Sequence, residues 1–246
     1  MNGLVPDDGR ILVVAVDHAL YSWPCAGLED PGAVIHDVVE AGADAIISSY
    51  GTLRTHRQSF GAAVPILKLD LTTVAIGGHY PLSEYVIAWT IEDAVRLGAG
   101  AVLTFVQLGA EFELDALRSA ARVAADADRA GIPYVCEIMP IKSERYPDPA
   151  APLAITAACR VSAELGAHLT KTTMPSVPSS VAAAAAFGVP VVLAGGDPAT
   201  DRDALYTTVQ AAVTAGAAGV AFGRNVWGDV DPSGTVARLR VIVHGS

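Results

Sequence analysis

Lys171 stands at the end of a short apolar run, in the stretch GAHLTKTT over residues 166–173. Burial penalises an ammonium, so a lysine delivered from a strand end tends toward its neutral amine. That amine adds to a ketone or aldehyde and yields an iminium ion, an electron sink for making or breaking the adjacent C–C bond. The other reading is an ion pair with a strand-end carboxylate, and Asp17 or Glu137 would serve. Glu137 closes the run before that of Lys171 and is a plausible neighbour across a shared mouth. Asp17 closes the first run, as a general acid/base or a hydroxyl-orienting group beside a close amine, or as a cap on the following turn. Lys68 is either a second active-site amine beside Lys171 or the partner of Asp70.

Two glycine-bearing loops add a different chemistry. Gly195-Gly196 follows the run Val191–Ala194, and Gly223-Arg224 follows Gly219–Phe222. Glycines let backbone N–H groups approach an oxyanion closely, and an arginine adds a charged donor. Either loop alone is ordinary turn chemistry; together they point to a phosphate or similar anion site. His18, His79 and His168 have no metal-ligand spacing, and neither a GxSxG elbow nor a Walker loop is present. Trp23, Trp89 and Trp227 read as packing or loop anchors.

These residues need elements to position them. Apolar runs rich in β-branched residues recur at Ile11–Val16, Asp44–Ser48, Val64–Leu69, Ala101–Val106, Tyr134–Ile138, His168–Thr170, Val191–Ala194 and Gly219–Phe222. They alternate with helical patterns at 31–41, around Arg54 and Arg57, and at 91–97, 113–130, 151–165, 177–187, 201–215 and 231–242. Six helices stop at a glycine: Gly42, Gly98, Gly131, Gly166, Gly188 and Gly216. Residues 70–89 fit no unit and read as an extended loop. Eight strand–helix units predict a parallel sheet closed as one (β/α)8 barrel spanning residues 1–246. Active residues in such a barrel gather at the carboxyl ends of the strands, and loops seven and eight often bind phosphate.

Composition narrows the partners. A formal charge of −10 without a basic run argues against nucleic acid. Mean hydropathy is high at +0.40, yet the most apolar stretch, Val181–Ala194, is broken by Gly188 and Pro190 and too short to span a membrane. The N-terminus lacks a signal-peptide layout, and Cys25, Cys136 and Cys159 form no CxxC pair, so reduced thiols and a cytoplasmic location are expected.

The combination of VVAVDHAL, GAHLTKTTMP around the lone Lys171, VVLAGGDP and GVAFGRNVWG resembles the DeoC/LacD-type class I aldolases, nearest the archaeal-type class I fructose-bisphosphate aldolase branch. The resemblance implies a metal-independent aldolase without cofactor, with Lys171 as the Schiff-base lysine. Asp17 of the DH pair would bind or polarise substrate hydroxyls, with His18 beside it in substrate binding. Gly195, Gly196, Gly223 and Arg224 would hold the phosphate of a ketose phosphate or of dihydroxyacetone phosphate, and a homo-oligomer is implied. The chain departs from the pattern at Ala19, where the family has glycine, and at Met139, where the fructose-bisphosphate branch has a strand-five tyrosine. Acid/base work is therefore assigned to Glu137, as in relatives resembling tagatose-bisphosphate or sulfo-sugar phosphate aldolases. Alternatives on the same barrel are a thiolase- or transaldolase-like relative, or a non-catalytic sugar-phosphate-binding barrel.

Overall fold

Strands buried on both faces need apolar residues at every position, and the eight apolar runs supply them. The computed structural model describes residues 3–72, 75–76 and 84–245. In it β1 (Ile11–Ala15), β2 (Ala45–Ser48), β3 (Val64–Lys68), β4 (Ala101–Leu108), β5 (Tyr134–Pro140), β6 (Leu169–Thr173), β7 (Val191–Ala194) and β8 (Gly219–Phe222) close into a barrel in sequential order. Every neighbouring pair is parallel, with β8 returning beside β1.

Strand alternation divides the core in two. Ile11, Val13, Ala15, Ala45, Ile47, Ile66, Ala101, Leu103, Val135, Leu169, Val192 and Ala221 belong to one cluster, which fills the barrel. Their sequence neighbours, among them Leu12, Val14, Ile46, Leu67, Val102 and Cys136, belong to a second cluster facing the helices. Those helices are α1 (Pro31–Glu40), α2 (Tyr50–Thr55), α3 (Ile91–Arg96), α4 (Glu113–Ala130), α5 (Pro152–Glu164), α6 (Val181–Ala185), α7 (Arg202–Thr214), α8 (Arg224–Trp227) and α9 (Pro232–His244). Asp30, Asp201 and Asp231 cap α1, α7 and α9 with their carboxylates. All six helix-stop glycines adopt left-handed φ, from +67° at Gly131 to +114° at Gly216, where a β-carbon is disfavoured. At the amino-terminal end of the barrel His244 of α9 bridges Asp8 (2.7 Å) and Asp44 (2.9 Å). Asp44 also accepts from the Leu12 N–H at 2.6 Å, so this end is tied by polar contacts.

Several expected boundaries change, the fourth and fifth strands running on to Leu108 and Pro140. The sixth strand runs on through Thr173, so Lys171 lies within it instead of after it. The helix expected at 177–187 is a 3₁₀ turn at Pro178–Ser180 leading into the five-residue α6. The helix expected to hold Arg54 and Arg57 breaks at His56, leaving Arg57 in a 3₁₀ turn. Within 70–89, Asp70–Thr72 and Tyr85–Ile87 pair as an antiparallel ribbon too short for a periodic signal; His79 lies outside the described residues. Among the described residues no helix is long and apolar enough to cross a membrane.

Candidate active site

A residue two positions beyond an inward-facing strand residue also faces inward, one layer nearer the carboxyl end. Leu169, Val135, Ile66 and Ala15 face into the barrel. Two residues on from each stand Lys171, Glu137, Lys68 and Asp17, so four charged side chains form the layer above the last apolar one. All four are buried, at 2–7% exposure. They line one cavity of about 460 Å³ that also takes in His18, Gly195, Gly196, Gly223 and Arg224. The nine residues singled out in the sequence thus meet in one place.

Lys171 and Glu137 are direct register partners on β6 and β5, and Nζ of Lys171 lies 2.7 Å from Oε1 of Glu137. The ion pair anticipated for Lys171 is therefore formed, with Glu137 as its partner. Lys68 has a separate partner: its Nζ is 2.6 Å from Oδ1 of Asp70. Burial is the largest single effect and opposes the Lys68 ammonium, but the Asp70, Glu137 and Asp17 carboxylates together outweigh it, and the ammonium is held above its usual range. Asp70 is itself anchored by the Phe105 N–H and by the Tyr85 hydroxyl at 3.3 Å. Of the two readings of Lys68, the Asp70 partnership is the one formed, though its side chain still borders the cavity.

His18 follows Asp17 in a 3₁₀ turn, its Nδ1 3.7 Å from Oδ1 of Asp17. Burial, with the Lys171, Arg224 and Lys68 cations outweighing Glu137, lowers its pKa to about 3, so the ring is neutral. It packs edge-on to Trp227 at 5.2 Å between centroids, and the Trp227 indole donates to the Ala15 carbonyl at 3.0 Å. A β-carbon at Gly223 would sit 2.3 Å from Cε1 of His18 and 2.9 Å from the Ala15 oxygen, which explains the glycine.

The two glycine loops are joined by Asn225, a residue that sequence reasoning missed as a site component. Its amide donates to the carbonyls of Gly195 (2.9 Å) and Asp197 (3.1 Å) and accepts from the Ala199 N–H (2.8 Å). Its signal was adjacency to Gly223-Arg224. Arg224 is engaged with Asp197 at 2.6 Å, while its Nε is buried without a hydrogen-bond partner among the described residues. Tyr21 and Gln107, also on the cavity wall, were not singled out either. Cys25, Cys136 and Cys159 are free and buried; burial pushes the thiols of Cys136 up to about 11 and Cys159 up to about 12, so neither is a thiolate nucleophile.

An amine in contact with a carboxylate, enclosed above a packed barrel, suits chemistry at a carbonyl carbon. A model of the DeoC/LacD family aldolases matches residues 11–229, and the chain belongs to that family. It is a class I, Schiff-base aldolase. The 2-amino-3,7-dideoxy-D-threo-hept-6-ulosonate synthase of Halobacterium salinarum is 34% identical over 98% of this chain and 89% of its own length. The 2-amino-4,5-dihydroxy-6-oxo-7-(phosphonooxy)heptanoate synthase of Streptomyces griseus is 31% identical over 98% of this chain and 87% of its own. Among solved structures, an archaeal fructose-1,6-bisphosphate aldolase with its catalytic lysine covalently bound to the carbinolamine intermediate of the substrate superposes with a TM-score of 0.87. It is 26% identical, covering 98% of this chain and 97% of that one.

Proposed function

We propose that Lys171 is the Schiff-base lysine and that the donor it activates is a phosphorylated ketone of the dihydroxyacetone phosphate type. The observation that carries this reading is the 2.7 Å contact of the Lys171 amine with Glu137 inside the cavity. Glu137 takes a proton from the Lys171 ammonium, and the freed amine adds to the ketone carbon. Glu137 then returns the proton to the departing hydroxyl, so water leaves and the iminium forms. In condensation the same carboxylate removes a proton from the adjacent carbon, and the enamine attacks an aldehyde; water then releases Lys171. Asp17, buried above β1, orients donor hydroxyls with His18 beside it. The Lys68 ammonium, fixed by Asp70, supplies preorganised positive charge to the wall. Gly195, Gly196, Gly223 and Arg224 receive the phosphate: at Gly196 the turn needs a φ of +65°, and Asn225 sets the spacing of the two loops.

Both synthases similar to this chain are named for the compound they make, which supports the condensing direction. The Streptomyces product name carries a 6-oxo group beside a 7-phosphonooxy group, the grouping that a dihydroxyacetone phosphate donor would contribute. Trapping tests the reading. The protein is incubated with dihydroxyacetone phosphate, reduced with borohydride and digested for mass spectrometry. The expected result is a stable adduct on the Lys171 peptide that Lys171→Met lacks. No adduct at Lys171 across a panel of phosphorylated ketones refutes it.

A further inference from the structure

The condensation needs a second proton transfer, to the acceptor oxygen as the aldehyde becomes a hydroxyl, and Glu137 is already committed to the carbon and amine beside Lys171. Met139, the next inward position on β5, borders the cavity and has no proton to give. Gln107 offers an amide, which does not transfer protons. His18 is neutral and holds no acidic proton near neutral pH. The Lys68 ammonium is bound at 2.6 Å to Asp70. Tyr21 remains. It lines the same cavity as Lys171, Glu137 and Asp17, and its hydroxyl makes no hydrogen bond among the described residues. Its position is nonetheless fixed: the ring lies 5.3 Å from that of His18, and its backbone N–H donates to the His18 carbonyl at 3.0 Å. His18 in turn rests on Trp227. Burial, with the Asp17 and Glu137 carboxylates, pushes the phenol well above its ordinary range, so it is protonated at neutral pH.

We propose that the Tyr21 phenol is the acid that protonates the acceptor oxygen as the C–C bond forms, and through its conjugate base the group that removes that proton in cleavage. The inference rests on the Schiff-base reading of Lys171. As the enamine attacks, the aldehyde C=O electrons move to oxygen and the phenol proton goes to that oxygen. The phenolate recovers a proton from Glu137, which took one from the donor carbon. The net change is transfer of one proton from donor carbon to acceptor oxygen, with both side chains restored.

Tyr21→Phe tests it, since the phenyl ring keeps the His18 contact and no hydrogen bond is lost. Three measurements are made on the full chain: borohydride trapping with dihydroxyacetone phosphate, exchange of the donor C–H with D₂O, and condensation with D-glyceraldehyde 3-phosphate or L-aspartate 4-semialdehyde. Trapping and exchange are expected at wild-type levels, while kcat for condensation falls by about 10²–10⁴, the usual yield of a positioned acid. Unchanged condensation overturns the proposal and leaves the Schiff-base reading standing. Loss of exchange also overturns it, placing Tyr21 at the donor carbon, and loss of trapping reduces it to a residue that shapes the site. A wild-type protein that neither traps nor condenses overturns this inference together with the reading beneath it.

Discussion

Replacing Lys171 by methionine keeps the side-chain length but strands Glu137. The two side chains are only 7% and 10% exposed and 2.7 Å apart, and removing one member of a buried pair costs about 3–5 kcal/mol through the charge left behind. The cavity of about 460 Å³ has room for water beside the orphaned carboxylate, so the lower end, about 3 kcal/mol, is expected for Lys171→Met. For a chain of this size that is a fall in Tm of roughly 6–12 °C. Glu137→Gln added to Lys171→Met removes the stranded charge and should recover most of the loss. The double-mutant cycle should therefore show a coupling of about 1–3 kcal/mol. Both variants lack aldolase turnover, so the rescued protein is stable and inactive. Urea denaturation of the four proteins measures the cycle. Additivity within about 0.5 kcal/mol would show that the contact has no energetic weight, and the electrostatic account of Lys171 would fall with it.

His18 gives a pH test. Its pKa is about 3 when folded against an ordinary 6.5, so above pH 6.5 the ring is neutral in both states and has no effect. Between 6.5 and about 3 the unfolded chain takes a proton that the folded one refuses, and stability falls on acidification by up to about 1.4 kcal/mol per pH unit. His18→Phe should flatten that part of the stability–pH curve, and a curve parallel to wild type contradicts the burial argument. Gly223→Ala places a β-carbon 2.3 Å from His18 and 2.9 Å from the Ala15 backbone. A loss of about 1–3 kcal/mol is expected, with a raised KM for the phosphorylated donor; an unchanged urea midpoint would mean the loop yields freely.

The strands were legible because continuous apolar, β-branched runs between helix-stop glycines are a local signal, and the same runs place Asp17, Lys68, Glu137 and Lys171 near strand ends. What the sequence did not show was register. Nothing local says that Lys171 sits beside Glu137 and not beside Asp17; that is decided by β6 aligning Leu169 with Val135. Burial of the Lys68–Asp70 pair was equally hidden, because the ribbon partner Tyr85 that caps Asp70 comes from the stretch read as a loop. The Arg224–Asp197 contact joins the loops that follow β7 and β8, and nothing local to either loop announces it.

Tyr21 shows why the remaining part stayed out of reach. No periodicity governs a residue in the turn after β1. Its orientation is set by His18, whose place is set by Gly223 and Trp227 near the other end of the chain. Barrel closure, which seats β8 against β1, is what makes those residues neighbours. The lysine proposed to form the Schiff base belongs to a strand, and its place near that strand's end is legible in its run. Proton delivery to the acceptor belongs to contacts across the β1–β8 seam, so a relative with the same strands and a different residue at Tyr21 would form the same iminium yet handle the acceptor differently.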